Sequence, residues 1–456
     1  MPIERISSDV CVTPAGPLTG EVALPGSKSL TNRYLLCCAL ADGTSRLSGI
    51  TLSDDVRAML GGLERLGVRI DIGAGPVPNA GDHGAQAAAG AGRSPQTIVE
   101  VCGCRGQMPA VEAEIDAGNA GTAMRFLTAL ATLGHGRYRI DGSPRMRQRP
   151  IAPLVGALQQ LGAPIGYDEA HARPPLTLAA RGLTGGEVRF ADPPSSQFVS
   201  AILMVAPYAG NDVMIRIDGG VVSRPYIAMT MGVMRSLGVE LLASDAFDRL
   251  VVPAGQRYHA ADRAIEPDAS AATYFWAAAA ITGGAVATPG LSRASLQGDV
   301  GFVDVLGQMG CEVVPEERGL TVRGPAGGRL RGVDVDLNAM PDTVQTLAVT
   351  ALFADSPTTI RNVANLRLKE TDRLAALQTE LRRLGADVTV AEDGITITPP
   401  ARRAPATIET YEDHRMAMSF ALAGLRGESV TIRDATCASK SFPDFFDVLA
   451  GLMSRH

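Results

Sequence analysis

One pattern occurs five times along this 456-residue chain and constrains its fold more than any other feature. It is an amphipathic helix that ends in Leu/Met-x-x-Leu/Met-Gly and is followed by a short apolar strand. The copies are Leu63 to Gly67, Leu158 to Gly162, Met234 to Gly238, Leu306 to Gly310 and Leu381 to Gly385. A glycine at this place suits the left-handed position just after a helix. Leu-Gly helix ends also arise by chance, but copies spaced about 75 residues apart after the first favour a series of small α/β units.

Between these helices the chain carries strand-like segments, in which apolar and polar residues alternate. Such alternation predicts sheets with one buried face, as in segments 137–140, 213–217 and 430–432. Residues 73–94 are rich in Gly, Ala and Pro without periodicity, which predicts an exposed, poorly ordered insertion loop. The best candidate boundary between two halves is 260–267, ahead of a long apolar helix that begins at Ser270.

Composition and charge exclude several classes of protein. The formal net charge of -6 argues against a general nucleic-acid binder. No apolar run reaches the length of a membrane span and no secretory signal is visible, so we expect a cytoplasmic protein without a membrane partner. The seven cysteines, an odd number, indicate reduced thiols. Cys102 and Cys104 have no second Cys or His pair at ligand spacing, which argues against a zinc site.

A glycine-rich turn, Gly118-Asn119-Ala120-Gly121-Thr122, leads into an apolar helical run over 126–133. Unpaired backbone N–H groups and the positive end of the helix dipole favour an anion at such a helix start. Three arginines follow between Pro144 and Pro150, and guanidinium groups bind carboxylates and phosphates through paired donors. An ordinary turn followed by a solvated basic loop explains the same residues about as well.

Other helix starts in the first half carry similar residue types. Gly26-Ser27-Lys28-Ser29 precedes a helical run over 30–41, and it resembles a phosphate loop without the full spacing, which disfavours nucleotide hydrolysis. Lys28, Ser29 and Arg33 could hold an anion at that start. Ser195-Ser196-Gln197 and Ser223-Arg224-Pro225-Tyr226 open later helices. Plain helix capping by the serines is the competing interpretation at each place.

The second half of the chain places acids beside bases in four segments: 340–342, 368–373, 411–416 and 439–443. A Glu beside a Lys is usually a solvated helix face. A carboxylate held among cations near a bound substrate can instead serve as a general acid or base. The local sequence leaves both interpretations open. Because an acidic protein concentrates its cations at loop-to-helix junctions here, we expect a cleft that binds small polyanions.

Taken in order, the motifs resemble those of the 5-enolpyruvylshikimate-3-phosphate synthase family. They read LPGSKS-x-x-x-R, GNAGTAMR, PRM-x-x-RP, SSQ, VS-x-PYI, PD, LKETDR, DHRMAM and K-x-FP-x-x-F, and they extend from Leu24 to Leu449. The resemblance implies transfer of the enolpyruvyl group of phosphoenolpyruvate to the 5-hydroxyl of shikimate 3-phosphate, with release of phosphate. This reaction serves chorismate and aromatic amino-acid biosynthesis.

The resemblance also implies a fold. The family is α/β, with two similar domains of three βαβαββ units each, helices inside, and the active site in the interdomain cleft. For this chain we expect an N-terminal domain over 27–265 and a C-terminal domain over 266–456, completed by residues 1–26. The family is typically monomeric, so a monomer is expected as well.

The family's site residues carry over to matching positions of this sequence. The resemblance assigns catalysis to Asp342 as the base at the 5-hydroxyl, and to Glu370 with Lys28 for proton exchange at the donor's methylene carbon. Contacts to shikimate 3-phosphate fall to Lys28, Ser29, Arg33, Ser195, Ser196, Gln197, Ser223, Tyr226, Asp342, Asn365 and Lys369. Contacts to phosphoenolpyruvate fall to Lys28, Asn119, Gly121, Thr122, Arg149, Gln197, Arg373, Arg415 and Lys440. No metal or other cofactor is expected, because addition and elimination at an enol ether need positioning, charge complementarity and exclusion of water.

Two alternatives compete with this interpretation. The sister enolpyruvyl transferase that acts on UDP-N-acetylglucosamine shares the fold and the donor, but it uses a mobile-loop cysteine, and Cys102 and Cys104 do not fall where that loop would lie. A non-catalytic anion-binding protein on the same fold is disfavoured by Asp342 and Glu370. One departure from the family is Phe126, which stands where a proline is usual. We expect its bulk to shift Gly121 and Thr122 and to weaken the donor-mimicking herbicide glyphosate.

Overall fold

The computed structural model describes residues 3–75, 96–169 and 172–454. By their contacts, these residues form two compact units. The first unit comprises residues 26–75, 96–169 and 172–265, and the second unit comprises residues 3–25 and 266–454. Each unit encloses a hydrophobic core of its own.

The strands are short, which suits small sheets. They are β1 (Ile3–Ile6), β2 (Asp9–Val12), β3 (Thr19–Glu21), β4 (Thr44–Ser48), β5 (Arg69–Gly75), β6 (Gln96–Cys102), β7 (Glu112–Asp116), β8 (His135–Asp141), β9 (Ile165–Tyr167), β10 (Leu176–Arg181), β11 (Gly186–Ala191), β12 (Val213–Asp218), β13 (Leu242–Ala243), β14 (Arg249–Val252), β15 (Asp262–Ala264), β16 (Ala285–Pro289), β17 (Glu312–Glu316), β18 (Gly319–Arg323), β19 (Asp334–Asp336), β20 (Thr358–Arg361), β21 (Asp387–Val390), β22 (Ile395–Thr398), β23 (Ala406–Ile408) and β24 (Val430–Ile432).

The α-helices alternate with these strands along the chain. They are α1 (Lys28–Leu40), α2 (Asp54–Arg65), α3 (Gly121–Ala131), α4 (Ala152–Gln160), α5 (Ser196–Val205), α6 (Arg224–Ser236), α7 (Ala269–Thr282), α8 (Phe302–Gln308), α9 (Val344–Thr350), α10 (Arg373–Arg383), α11 (His414–Ala421) and α12 (Phe445–Met453). Within the described ranges, no helix is both long and apolar enough to cross a bilayer.

A single sheet design is repeated in both units. Each sheet has four strands, of which two are parallel and the others join antiparallel. The first unit holds the sheets β15-β4-β6-β5, β7-β8-β10-β9 and β11-β12-β14-β13, and the second unit holds β17-β18-β16-β3, β19-β20-β22-β21 and β1-β2-β24-β23. A helix connects the parallel strands of most sheets, as α3 connects β7 to β8, whereas β15 pairs with β4 and β16 with β3 across more than 200 residues. This confirms the predicted series of similar small α/β units.

The beginning of the chain supplies strands to sheets of the second unit. β2 pairs antiparallel with β24, and β3 pairs parallel with β16. Val12 and Leu18, near these strands, are fully buried in the second unit's core. Residues 3–21 are therefore built into a unit whose helices lie more than 240 positions further along the chain.

The repeated glycines take the conformation expected for helix ends. Their φ angles are 88° at Gly67, 89° at Gly162, 88° at Gly238, 106° at Gly310 and 94° at Gly385. Positive φ is costly for residues with a Cβ and free for glycine, and it lets the chain reverse directly from helix into strand. The five-copy pattern is confirmed as a series of helix ends.

The predicted insertion loop is wrong at its start. Residues 73–75 belong to β5, whose backbone pairs antiparallel with β6. These glycines and an alanine have low strand propensity, but pairing along an edge needs only backbone groups, so the ladder overrides the local preference. The rest of the predicted loop, residues 76–94, lies outside the described residues.

The helices form the interior of each unit. In α7, twelve of fourteen residues are buried, including Trp276, so the helix is covered on nearly every face. A helix that is apolar all round belongs in a core.

The predicted strands over 137–140, 213–217 and 430–432 lie in β8, β12 and β24 and are confirmed. In the second unit, 3₁₀ turns at Pro341–Thr343 and Ala351–Phe353 flank α9.

Candidate functional site

The first unit gathers its predicted residues at the N-terminal ends of α1, α3, α5 and α6. Lys28 and Ser29 open α1, Gly121 and Thr122 open α3, and Ser196 and Gln197 open α5. Each start presents backbone N–H groups that no earlier carbonyl of the helix satisfies. The arrangement is suited to anions because these donors act together with the helix dipoles.

Arg33 is a buried cation held by neutral groups. Its Nε donates to Thr230 Oγ1 (2.7 Å), its Nη1 to the Ser29 carbonyl (2.8 Å) and its Nη2 to the Tyr226 carbonyl (3.2 Å). The guanidinium carbon lies 5.5 Å from the ring centre of Phe126 and 6.0 Å from that of Tyr226. None of the ion pairs among the described residues includes Arg33, and burial lowers its pKa to about 10. A buried cation without a carboxylate partner favours an anionic ligand.

Lys28 has a partner that the sequence did not indicate. Its Nζ lies 2.9 Å from Asp55 Oδ2, and both side chains are largely buried. Asp55 occupies the first turn of α2, where a carboxylate also interacts favourably with the helix dipole. The pair fixes the ammonium group at the start of α1.

Gly121 leaves room for two arginines. A Cβ built at this position would lie 2.6 Å from Arg125 Nη1 and 2.7 Å from Arg149 Nη1. Arg125 connects the start of α3 to the segment after Arg149: its Nη1 donates to the Gly121 carbonyl (2.9 Å) and its Nη2 to the Pro150 carbonyl (3.2 Å). The Arg149 guanidinium group therefore lies beside the start of α3.

The serines divide between capping and other roles. Ser195 caps α5, since its Oγ accepts from the Gln197 N–H (3.3 Å), and Ser27 caps α1 through Leu30 N–H (3.4 Å). Ser223 precedes α6 with a φ of 55° and makes no capping hydrogen bond. Gln197 Nε2 donates to Thr122 Oγ1 (3.2 Å), which connects the starts of α5 and α3.

The second unit brings its predicted acids and bases into one network. Asp342 lies 2.8 Å from Arg415 Nη2, 3.2 Å from Arg373 Nη1 and 3.8 Å from Lys369 Nζ. Glu370 lies 2.9 Å from Arg373 Nη2 and 3.7 Å from Lys440 Nζ. Asp342 and Lys440 lie in 3₁₀ turns, and Arg373 and Arg415 lie in the first turns of α10 and α11. Lys369 and Glu370 lie in the short segment between the 3₁₀ turn Ala364–Leu368 and α10. The solvated-face interpretation of this acid–base sequence is wrong, because the network is mostly buried.

Arg373 is the centre of this network. Its Nε donates to Asp413 Oδ2 (2.7 Å) and its Nη2 to Asp413 Oδ1 (3.2 Å), in addition to the bonds to Asp342 and Glu370. Burial alone would lower the pKa of Arg373, but the carboxylates of Asp413, Glu370 and Asp342 outweigh burial and raise it. The guanidinium group therefore stays charged, and it orients three carboxylates at once.

Asn365 also lies in the second unit, in the 3₁₀ turn Ala364–Leu368. Its side-chain oxygen is buried and has no hydrogen-bond partner among the described residues. A buried acceptor of this kind is costly unless a ligand or water supplies a donor. The predicted contact to a substrate hydroxyl would satisfy it.

Some important residues were not among the predicted ones. Asp413 caps α11 by accepting from the Arg415 N–H (2.9 Å) while it binds Arg373. Its position directly before a helix was a recognisable capping signal. Asp299 is buried, accepts a short hydrogen bond from Ser270 Oγ, and has its pKa raised to about 6 by burial and by the charge of Asp342. Nothing in the sequence around Asp299 indicated that it neighbours Asp342.

Phe126, the departure from the family pattern, is buried in α3. Its ring lies beside the Arg33 guanidinium, as described above. The structure therefore gives this ring a contact with a predicted acceptor-binding residue. The expected weakening of glyphosate stays a prediction.

Comparisons with known proteins agree on one family. The family described as EPSP synthase (3-phosphoshikimate 1-carboxyvinyltransferase) matches residues 12–449. A relative from Photobacterium profundum, named 3-phosphoshikimate 1-carboxyvinyltransferase, is 46% identical over 441 residues, covering 96% of this chain and 97% of the relative. A chloroplastic relative of the same name from Solanum lycopersicum is 45% identical over 455 residues, covering 97% and 84%.

A solved structure supports the fold independently. The EPSP synthase from Acinetobacter baumannii, solved at 2.37 Å, superposes with a TM-score of 0.76 at 24% identity. The alignment covers 97% of this chain and 98% of that chain. At this identity the likeness concerns the fold alone, and it agrees with the α/β architecture of repeated four-stranded sheets.

Proposed function

Since the chain belongs to the EPSP synthase family and is a 3-phosphoshikimate 1-carboxyvinyltransferase, we propose that it performs this reaction with the charged residues described above. The observation that carries the assignment of residues is the buried network of the second unit. There, two carboxylates suited to acid–base work, Asp342 and Glu370, share Arg373. Asp342 also lies within 4.0 Å of Arg415 and Lys369, and Glu370 lies within 4.0 Å of Lys440.

Asp342 serves as the base at the acceptor's 5-hydroxyl. Arg373 and Arg415 bind its carboxylate directly. The carboxylate of phosphoenolpyruvate has the same shape and charge, so it competes with Asp342 for these guanidinium groups. Donor binding would then release an oxygen of Asp342 to accept the hydroxyl proton. The contacts of Arg373 and Arg415 to a carboxylate support their assignment to the donor.

Glu370 exchanges a proton with the donor's methylene carbon. Its contacts with Arg373 and Lys440 fix the carboxyl group in place. Protonation of that carbon builds positive character at C2, and the acceptor oxygen adds there to form a tetrahedral intermediate. Removal of a proton from the resulting methyl group and cleavage of the bond between C2 and the phosphate oxygen then release phosphate and re-form the double bond. Cations around the reacting atoms stabilise the departing dianion.

The first unit supplies further binding groups. Arg33 offers an uncompensated buried charge for the anionic acceptor, with Ser29, Ser223 and Tyr226 nearby in the chain's helix starts. Arg149, held at Gly121, offers a charge for the donor, while Lys28 is positioned by Asp55. The assignment to one substrate or the other follows the family resemblance.

The cellular location and the oligomeric state belong to the same proposal. We place the enzyme in the cytoplasm, since each of its seven cysteines is free, as a reducing compartment favours. We propose that it acts as a monomer with small-molecule substrates and without nucleic-acid or membrane partners. Sedimentation at working concentration would test the monomer directly.

The residue assignment is tested by Asp342→Ala. We expect turnover to fall by about 10²-fold or more, the usual contribution of a general base, while both substrates still bind. Binding is followed by calorimetry and turnover by phosphate release. Asp334→Ala is the matched control, because Asp334 pairs with Arg361 on the exposed surface of the same unit. A variant at Asp342 with near-normal turnover would remove the residue from this role.

A further inference from the structure

A strained turn leads into α11, the helix that carries Asp413 at its cap and Arg415 in its first turn. Tyr411 and Glu412 have φ angles of 56° and 55°, although neither is glycine. Such a conformation is strained for a residue with a Cβ, and it persists only where surrounding contacts hold it. Contacts that hold this turn are found on α10.

Glu380 of α10 binds the turn at two points. Its Oε1 accepts from the Tyr411 hydroxyl (2.7 Å), and its Oε2 accepts from the Glu409 N–H (3.3 Å). The Glu380 side chain is fully buried, and its remaining charge is met by Arg383 Nε at 3.3 Å. Burial raises the pKa of Tyr411 to about 12, so the hydroxyl stays protonated and donates.

The same helix binds the far end of the turn through Arg373. This residue opens α10 and donates two hydrogen bonds to Asp413, at 2.7 and 3.2 Å. Arg373 and Glu380 are seven residues apart, which is about 10 Å along a helix. One rigid helix therefore spans segment 409–413 from its first residue to its last.

The position of Arg415 depends on this segment. Asp413 caps α11 through the Arg415 N–H (2.9 Å), and the Arg415 side chain reaches Asp342 (2.8 Å). We propose that Glu380 and Tyr411 are positioning residues, a clamp that holds the strained turn and thereby aims Arg415 and keeps Asp413 on Arg373. Neither residue needs to touch substrate. The inference rests on the proposed function, because it takes Arg373 and Arg415 as the groups that bind the donor.

The test is Tyr411→Phe, which removes one hydroxyl and keeps the ring. We expect the KM for phosphoenolpyruvate to rise about fivefold or more, since a hydrogen bond to a charged group is lost, and the KM for shikimate 3-phosphate to stay within about twofold. Tyr138→Phe is the matched control: it loses a hydroxyl bond to the Ala110 carbonyl (2.6 Å) in the first unit, and it should leave both KM values unchanged.

A second variant separates positioning from general destabilisation. Asn tolerates the left-handed conformation better than Glu does, so Glu412→Asn lowers the strain that the clamp must hold. In the Tyr411→Phe background it should restore the KM for phosphoenolpyruvate toward the wild-type value. In the double variant Glu380→Gln and Tyr411→Phe, the KM for phosphoenolpyruvate should rise no further than in the more affected single variant. Both substitutions break the same clamp, so their effects do not add.

The outcomes are distinguishable. Unchanged KM values in a folded Tyr411→Phe variant would overturn the clamp. An equal rise in the KM values for both substrates that Glu412→Asn does not reverse would overturn it as well. A rescued rise confined to the KM for shikimate 3-phosphate would support the clamp and contradict the donor assignment of Arg415. If the wild-type chain did not catalyse the reaction, the proposed function would fail, and the clamp, which rests on it, would fail with it.

Discussion

At the scale of single residues, Gly121 has the most direct consequence for binding. A methyl group there would lie within 3.0 Å of both Arg125 and Arg149, whose side chains are buried. We expect Gly121→Ala to displace Arg149 and to raise the KM for phosphoenolpyruvate about tenfold, with little change in the free energy of unfolding. Steady-state kinetics at saturating shikimate 3-phosphate measures the effect.

The control for this substitution is Gly61→Ala in α2. A Cβ at Gly61 meets nothing within 4 Å, and alanine is the better helix former. This variant should keep both KM values. If the Gly121→Ala and Gly61→Ala variants had the same KM for phosphoenolpyruvate, the absence of a side chain at Gly121 would not be needed to place Arg149 for donor binding.

Asp299 predicts a pH dependence of stability. Burial and the neighbouring Asp342 raise its pKa from 3.8 to about 6, so the folded protein keeps a proton that the unfolded chain has lost. A raised carboxyl pKa stabilises the folded state at acid pH, and this stabilisation is lost as the pH rises through about 6. The substituted side chain in Asp299→Asn cannot ionise. The free energy of unfolding of Asp299→Asn, relative to wild type, should therefore increase by about 1 kcal/mol or more between pH 5 and pH 7.5.

The measurement is urea unfolding followed by the fluorescence of Trp276, the single tryptophan of the chain, which is buried in the same unit. The exposed Asp304→Asn should track wild type at every pH. A constant difference between Asp299→Asn and wild type across this range would mean that Asp299 is ionised throughout.

At the scale of secondary-structure elements, the repeated helix ends were predictable because their physics is local. The Leu-x-x-Leu-Gly pattern sets both the apolar face of the helix and the residue that can leave it with positive φ. Gly310 isolates this effect, with a φ of 106° and no atom within 4 Å of an added Cβ. Gly310→Ala should cost about 1–2 kcal/mol from backbone strain alone.

Gly307, three residues earlier in α8, provides the comparison. Its Cβ would also meet nothing within 4 Å, but its backbone is helical. Gly307→Ala should stabilise the second unit by up to about 1 kcal/mol. Equal effects of the two substitutions on the midpoint of urea unfolding would show that the positive φ of Gly310 does not cause the loss of stability.

The contacts of the site were less predictable than its members. The motifs contained Arg373, Arg415 and Asp342, yet the Asp342–Arg415 pair joins residues 73 positions apart and the Arg373–Asp413 pair joins residues 40 apart. No spacing rule encodes such pairs, because they depend on how separate helix starts pack. The loop expected at residues 73–75 failed for a related reason: strand pairing with β6 is a tertiary contact that local composition does not show.

At the scale of the whole molecule, the first residues of the chain complete a unit that is otherwise formed by residues 266–454. Removing residues 2–21 deletes β1, β2 and β3; β2 pairs with β24, and β3 pairs with β16. We expect the midpoint of urea unfolding, followed by Trp276 fluorescence, to fall sharply, since a sheet edge and the buried Val12 and Leu18 are lost. Hydrogen exchange in α3 should be unchanged, because the first unit has its own sheets and core.

Glu4→Ala, which alters an exposed side chain of β1 and keeps every strand, is the control for the truncation. An unchanged Trp276 midpoint in the truncated chain would show that the pairings of β2 and β3 contribute little to the second unit.

The identity of the acceptor substrate decides whether the chain catalyses the assigned reaction. The purified chain is mixed with phosphoenolpyruvate and either shikimate 3-phosphate or UDP-N-acetylglucosamine, and the release of inorganic phosphate is followed with time. We predict phosphate release with shikimate 3-phosphate and none above background with the nucleotide sugar. Release with the nucleotide sugar alone, or with neither acceptor in a folded preparation, would contradict the account.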